Sequence, residues 1–343
     1  MSTHESQQSQ ALVAPHSLTL LPTYRCTAAC EQCCFGCGPD VPDGLSEEQL
    51  LRIVDTAKEQ LPSLKLLAIS GGECYLLGDR LLNVIRRAKA RGLIVRTVSN
   101  GFWGKSLRAA RRLMAEAREA GLSELNLSTG RDHAKFVPVT SVVNAAQAAV
   151  EAGVLTFMTV EEDAADSGIT DALTQDPTLV RLGRDFPNLF RIGVNTWMKF
   201  TDSHQKRNPE RLKKMQFGGC HNLLTTLVAT STGRVKACCG LTSEYIPELT
   251  IGDVANEDWR AMHAKATNDF VKVWLFTDGP VEILRKLGFG SGEFEHHCQA
   301  CAFLHRDKAA REALVERSTQ HMEDVLIRFH FKARISAQNI FID

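Results

Sequence analysis

The chain's eleven cysteines fall into two groups and a singleton: Cys26, Cys30, Cys33, Cys34 and Cys37, then Cys74, then Cys220, Cys238, Cys239, Cys298 and Cys301. Thiols this dense serve metal binding in a reducing compartment and disulfides in an oxidising one. The first sixteen residues, MSTHESQQSQALVAPH, have no basic leader and only a short apolar patch, so they read as a polar tail and not as a signal peptide. A cytoplasmic location with reduced thiolates is the expectation, and the spacing suggests two metal centres.

Cys26, Cys30 and Cys33 form a Cys-x3-Cys-x2-Cys triplet directly after an apolar, β-branched run. Three thiolates can hold three irons of a [4Fe-4S] cluster and leave the fourth iron open to a ligand. Zinc, completed by Cys34 or Cys37, is the competing reading. Three further turns carry small or polar groups: Gly71, Gly72 and Glu73; Ser99, Asn100 and Gly101; Ser128, Thr129 and Gly130. Two glycines permit close approach to the backbone and a carboxylate can receive an ammonium group. Asp132 and His133, in the loop 130–138, could orient a substrate or accept a proton, although a loop salt bridge would use the same residues. Glu161 and Glu162 stand similarly after a later run.

These groups need elements to hold them. From about residue 18 to 197, short apolar runs alternate with helical patterns, which predicts strands at 18–23, 65–70, 94–99, 124–128, 155–160 and 190–195. Ser46 and Gln49 form a capping box at the first helix, and Leu50, Leu51, Val54 and Ala57 give it an apolar face. Helices at 81–91, 107–120 and 141–152 each stop at a glycine, and one at 172–184 is interrupted by Pro177. Right-handed crossovers then make a curled parallel sheet of six βα units, with function at the ends of the strands. The segment 201–216 is polar and basic and reads as a linker. Beyond it, runs at 224–229 and 234–238 form a hairpin that opens a smaller unit. Gly288, Gly290 and Gly292 read as a flexible loop and not a phosphate site.

With 343 residues the chain is long enough for one large domain and a smaller unit. Its 40 basic and 40 acidic side chains balance, which removes the bulk electrostatic case for a nucleic-acid partner. No apolar run reaches membrane-spanning length.

Taken together, the cysteine triplet after strand one, Gly-Gly-Glu after strand two, Ser-Asn-Gly after strand three and a serine after strand four resemble the radical S-adenosylmethionine (radical SAM) enzymes. The resemblance spans about residues 18 to 197. It implies a partial (βα)6 TIM-like barrel of the α/β class, with Cys26, Cys30 and Cys33 on a [4Fe-4S] cluster that binds S-adenosylmethionine. Gly71, Gly72 and Glu73 would meet the methionyl amine, and Ser99, Asn100 and Ser128 the ribose or carboxylate. Cleavage to methionine and a 5′-deoxyadenosyl radical, followed by hydrogen abstraction, is the implied chemistry. Gln32 stands where the family usually has an aromatic residue, and Cys74 where it usually has proline. A contact to adenine must then come from elsewhere, with Phe35 as a candidate.

Cys220, Gly233 and Cys238 are similar to the opening of the SPASM and twitch extensions of that family, and Cys298 and Cys301 supply two more thiolates. Four thiolates would close a second, auxiliary [4Fe-4S] cluster, in a single-cluster twitch arrangement. Tetrahedral zinc is the rival, with His296, His297 and His305 close by. The implied layout is a tail at 1–16, the barrel at 17–200, a linker at 201–216, a small α+β auxiliary-cluster domain at 217–305 and a helical segment at 306–343. The implied substrate is a ribosomally made peptide, with a small molecule as the alternative. A flavodoxin- or ferredoxin-type electron donor is implied too, and a separate protein could bind the peptide's leader. A zinc-stabilised binding module is the reading from another class.

Overall fold

A computed structural model of the chain describes residues 12–162, 168–196, 218–289, 294 and 296–338. The tail 1–11, the linker 201–216, Gly290 and Gly292 lie outside the described residues.

Among the described residues, nine strands make one sheet: β1 (Ser17–Leu20), β2 (Leu66–Ile69), β3 (Ile94–Ser99), β4 (Glu124–Gly130), β5 (Leu155–Glu162), β6 (Phe190–Thr196), β7 (Thr226–Ala229), β8 (Arg234–Lys236) and β9 (Thr250–Asp253). Their order is β6-β5-β4-β3-β2-β1-β7-β8-β9. Pairing from β1 to β6 is parallel throughout. Each crossover carries helix: α1 (Glu47–Gln60), α2 (Asp79–Ala90), α3 (Leu107–Ala120), α4 (Arg131–Ala134) with α5 (Val139–Glu151), and α6 (Ile169–Thr174) with α7 (Pro177–Asp185). This is the partial (βα)6 arrangement that the alternating pattern predicts.

The helices form where the sequence signals them. Ser46 caps α1, with the Gln49 side chain returning to the Ser46 amide at 2.9 Å. Its buried face is Leu50, Ile53, Val54 and Ala57, and each large side chain removed from water there is worth about 1.5–3 kcal/mol. The helix expected over 172–184 is two helices, because Pro177 lacks an amide hydrogen and opens α7 at its first turn, capped by Asp176.

The C-terminal hairpin does not make its own sheet. β7 joins β1 in parallel, Leu18 opposite Leu227, and β8 and β9 extend the same sheet antiparallel. β9 is a strand that its short, weakly patterned sequence, TIGD, does not announce. β7 also starts two residues later than expected. Leu224 has a left-handed backbone (φ 68°), costly for a branched side chain, and it is held by its amide bond to the Ala237 carbonyl and by His263 on its own carbonyl. After the sheet come α8 (Trp259–Thr267), α9 (Phe270–Asp278), α10 (Pro280–Lys286), α11 (His297–Arg306), α12 (Lys308–Arg317) and α13 (Met322–Gln338). No helix among the described residues is long and apolar enough to cross a membrane.

Candidate active site and cysteine centres

The cysteine loop leaves β1 and closes on itself at its neck. The Cys26 amide donates to the Gly38 carbonyl at 3.0 Å, and the Gly38 amide to the Tyr24 carbonyl at 3.3 Å. Inside this neck Cys26 and Cys37 are buried with Ala28, and Tyr24, Cys30, Cys33 and Phe35 pack around them. The thiols sense one another. Burial pushes Cys26 up to about 11 and Cys30 up to about 12, both reinforced by neighbouring thiolates. Cys33 is drawn down to about 6, chiefly by a hydrogen bond from Cys37, whose amide also lies 3.4 Å from the Cys33 sulfur.

The Gly71–Gly72 turn locks this loop in place. The Gly72 amide donates to the Thr23 carbonyl at 2.8 Å and the Glu73 amide to the Arg25 carbonyl at 2.9 Å, continuing the β1–β2 ladder past the strands. A Cβ on Gly71 would run into the Thr23 carbonyl, and one on Gly72 into that of Arg25. Gly71 also has φ 111°, which only glycine adopts without strain. The close approach that these glycines allow is therefore by the chain's own cysteine loop.

Glu73 lies in a hydrogen-bond network of its own. It is fully buried, and its carboxylate accepts from the Ser99 hydroxyl at 3.0 Å, the Asn100 amide at 2.9 Å and the Tyr75 amide at 3.1 Å. Desolvation lifts it to about 7, with those three donors pulling the other way. The carboxylate ties the turn after β2 to the turn after β3. Ser99 also accepts from the Trp103 indole at 3.0 Å. Asn100, so held by its backbone, reaches back to the cysteine loop with its side chain: Nδ2 donates to the Thr27 hydroxyl at 3.0 Å and to the Cys26 sulfur at 3.7 Å.

Across the rim, Asp132 and His133 lie in α4, both buried. Asp132 accepts from Lys135 at 2.9 Å, and its amide lies 3.4 Å from a Glu161 oxygen. Burial lowers His133 to about 4, opposed by Asp132. Negative charge on Asp132 and Glu161 also raises Cys30. The structure thus gathers Cys26, Cys30, Cys33, Asn100, Asp132 and Glu161 at one end of the sheet. Ser128 sits half-buried within β4, on the same side as Glu124 and Asn126. Phe35 stacks on Tyr24, centroids 6.1 Å apart, instead of standing free. Glu161 is the member that the sequence marks least; its only signal is its place at the end of a strand.

The second cysteine group is drawn together by the hairpin and α11. The Cys238 sulfur accepts from the Gly240 amide at 3.0 Å. A Cβ on Gly240 would lie 3.0 Å from the Cys238 sulfur and 3.1 Å from that of Cys298, so glycine is what lets these two thiols flank the turn. Cys220 hydrogen-bonds Cys238, which lowers Cys220 to about 6, and Cys301 is raised by burial and by charge on Cys298 and Cys220. The α11 end is fixed by Thr242, whose hydroxyl donates to the Cys298 carbonyl at 2.9 Å, and by the His296 ring, which accepts from the Cys298 amide at 3.0 Å. His296 is thus a helix cap. Cys239 is raised to about 11 by burial and by charge on Cys220 and Cys298, against a hydrogen bond with Thr226. Cys34 lies between the groups, raised by burial and by both Cys33 and Cys298.

Among the described residues, no group of three or more His, Cys, Asp or Glu side chains has the spacing that holds one metal ion. The fit to iron–sulfur centres rests on donor type and number: a soft, all-thiol set at each place, three in the first triplet and four in the second group.

Residues 20–160 match the family model of the Radical SAM superfamily. YydG of Bacillus subtilis (strain 168), provisionally named a peptide biosynthesis protein, is 23% identical over 269 residues, 77% of this chain and 79% of YydG. Among solved structures, native anSMEcpe with bound AdoMet aligns over 92% of this chain and 99% of its own, with a TM-score of 0.54 and 12% identity. A histidine-tagged form of anSMEcpe, also with bound AdoMet, aligns over 88% and 98%, with a TM-score of 0.55 and 13% identity. These likenesses bear on the fold. The family match itself covers residues 20–160.

Proposed function

We propose that this is a radical SAM enzyme with a twitch/SPASM-like auxiliary [4Fe-4S] centre, acting in the cytoplasm on a ribosomally synthesised peptide. The observation that carries the proposal is the junction at Asn100, where the turn after β3 meets the cysteine loop beside Cys26. The match to YydG and its name support a peptide as the substrate.

Cys26, Cys30 and Cys33 would hold the first cluster, which when bound supplies the electron that cleaves S-adenosylmethionine to methionine and a 5′-deoxyadenosyl radical, from a flavodoxin- or ferredoxin-type donor. Cys220, Cys238, Cys298 and Cys301 would hold the auxiliary one. The chain's own residues do the rest. Gly71, Gly72 and Glu73 fix the loop against β2, and the backbone of that turn, with Ser99, Asn100 and Ser128, lines the place for the methionyl and ribose groups. Asp132 and His133, buried side by side in α4, would orient the substrate. Burial of Asp132 and Glu161 excludes water from that side. α13 packs against α9, with Lys332 donating to the Phe276 carbonyl at 2.6 Å, and a separate protein would bind the peptide's leader.

The test is iron and sulfide analysis of anaerobically reconstituted protein, followed by dithionite, S-adenosylmethionine and detection of 5′-deoxyadenosine. About eight irons are expected, as for two [4Fe-4S] clusters. The variant C26S/C30S/C33S should lose about half of them and all 5′-deoxyadenosine. C238S/C298S should lose the other half, while C239S keeps its iron. Zinc in place of iron, with no cleavage, would overturn the reading.

A further inference from the structure

Lys332 brings a positive charge from α13 to the second cysteine group. The buried face of that helix is Val325, Phe329 and Ala333, and the Lys332 Nζ donates to the Phe276 carbonyl in the last turn of α9 at 2.6 Å. The same ammonium stands over the Phe276 ring, 4.6 Å from its centroid, and Phe329 meets that ring edge-on. The segment that carries Cys220 is fastened to the same turn, since the Cys220 amide donates to the Leu275 carbonyl at 3.0 Å. Gly219 lies between the two attachments. A Cβ there would be 2.2 Å from the Lys332 nitrogen and 2.0 Å from the Phe276 oxygen, so glycine is what lets the ammonium settle against the residue next to Cys220.

No carboxylate cancels this charge at close range. Asp278 is held by Arg328 and Lys286, and among the described residues no Asp or Glu oxygen lies within ion-pair distance of Lys332. Lys236, the cation nearer Cys238, is by contrast paired with Glu244 at 4.0 Å. Burial pulls Lys332 down, while charge on Cys220 and Asp278 holds it up. Cys220, drawn down chiefly by its bond with Cys238, is lowered further by Lys332. A partly buried cation is screened less than an exposed one, and net charge beside an iron–sulfur centre is among the factors that set its potential. Reduction adds one negative charge to such a centre, so a fixed cation stabilises the reduced state more than the oxidised one.

We propose that Lys332 is a positioning residue for the auxiliary centre, its ammonium held against Gly219 and Phe276 so that the centre takes up an electron more readily. This rests on the reading of Cys220, Cys238, Cys298 and Cys301 as the ligands of a second cluster and deepens it: α13 carries a charge that sets that cluster's potential.

The test is a reductive titration of anaerobically reconstituted protein with dithionite, each centre followed by electron paramagnetic resonance and iron counted in every sample. Wild type, K332Q, K332R and K265M are compared. Glutamine keeps a donor for the Phe276 carbonyl and removes the charge. K332Q should shift the second centre roughly tenfold toward its oxidised form at a fixed potential, about 59 mV lower for one electron, and leave the first centre where it is. K332R keeps the charge and should stay close to the wild type, as should K265M, which removes an exposed lysine of α8. A K332Q midpoint equal to that of the wild type, or equal shifts in K332Q and K332R, would overturn the inference and leave the auxiliary cluster standing. Loss of the second centre's iron from both K332Q and K332R would make Lys332 a structural anchor alone and overturn it too. About four irons and a single signal in the wild type would instead overturn the auxiliary-cluster reading, and the inference with it.

Discussion

Glu73 and Asn100 are joined by a 2.9 Å bond from the Asn100 amide to the Glu73 carboxylate, deep in the protein and 27 positions apart in the chain. Two turns that each look ordinary are one unit through this bond, and the cysteine loop is its third part. The carboxylate also takes the Ser99 hydroxyl and the Tyr75 amide. Replacing it by alanine strands two buried backbone donors and a hydroxyl. E73A should therefore lose about 3 kcal/mol or more of stability, at about 1–3 kcal/mol per stranded group. Denaturant unfolding measures the loss. E73Q, which keeps one acceptor oxygen, should lose less, and equal losses would count against the hydrogen-bond account.

The glycine turn gives a sharper result. G72A places a methyl against the Arg25 carbonyl, and backbone cannot yield there without moving the cysteine loop. We expect iron incorporation into the first centre to fall while the second keeps its share, read by iron analysis and by electron paramagnetic resonance of the reduced protein. G183A, on the exposed face of α7 where a Cβ meets nothing, should change neither.

Much of this architecture is legible in the sequence, and the reason is local. Strand and crossover patterns depend on spacing within ten or so residues, so β3 to β6 and α1 lie close to where the sequence predicts them. Pro177 is legible as an interruption, though not as the start of α7. What stays hidden depends on partners distant in the chain. The bonds that Ser99 and Asn100 make to Glu73 are not visible in the sequence, since 26 and 27 positions separate the partners. The join of β7 to β1 is also invisible, since it links residues 17–20 with 226–229 across the whole barrel.

Asp278 anchors the C-terminal helix, and its removal should be costly. It is buried, which would raise it, but Arg328, Lys286 and the Trp274 indole all donate to it and hold it below the usual range. D278A leaves two cations without their buried partner. Breaking a buried pair this way costs about 3–5 kcal/mol. A fall in thermal midpoint is the expected readout, and D278N should recover only part of it.

The pH dependence of stability should carry two opposed contributions. Glu73, raised to about 7 from 4.5, keeps its proton in the folded state after the unfolded chain has lost it. Its contribution is full below pH 4.5 and is lost as pH rises through 7. His133 does the reverse. Lowered to about 4 from 6.5, it resists protonation when folded, so its contribution is full above pH 6.5 and is lost as pH falls through 4. Between about pH 4.5 and 6.5 the two slopes oppose each other, and the wild type should show a shallow profile. E73Q removes the falling term, so its stability should climb more steeply with pH across that window. H133N removes the rising term and should decline instead. Urea midpoints across a series of pH values separate these cases, and variants that share the wild-type slope would show that neither group is titrating where burial places it.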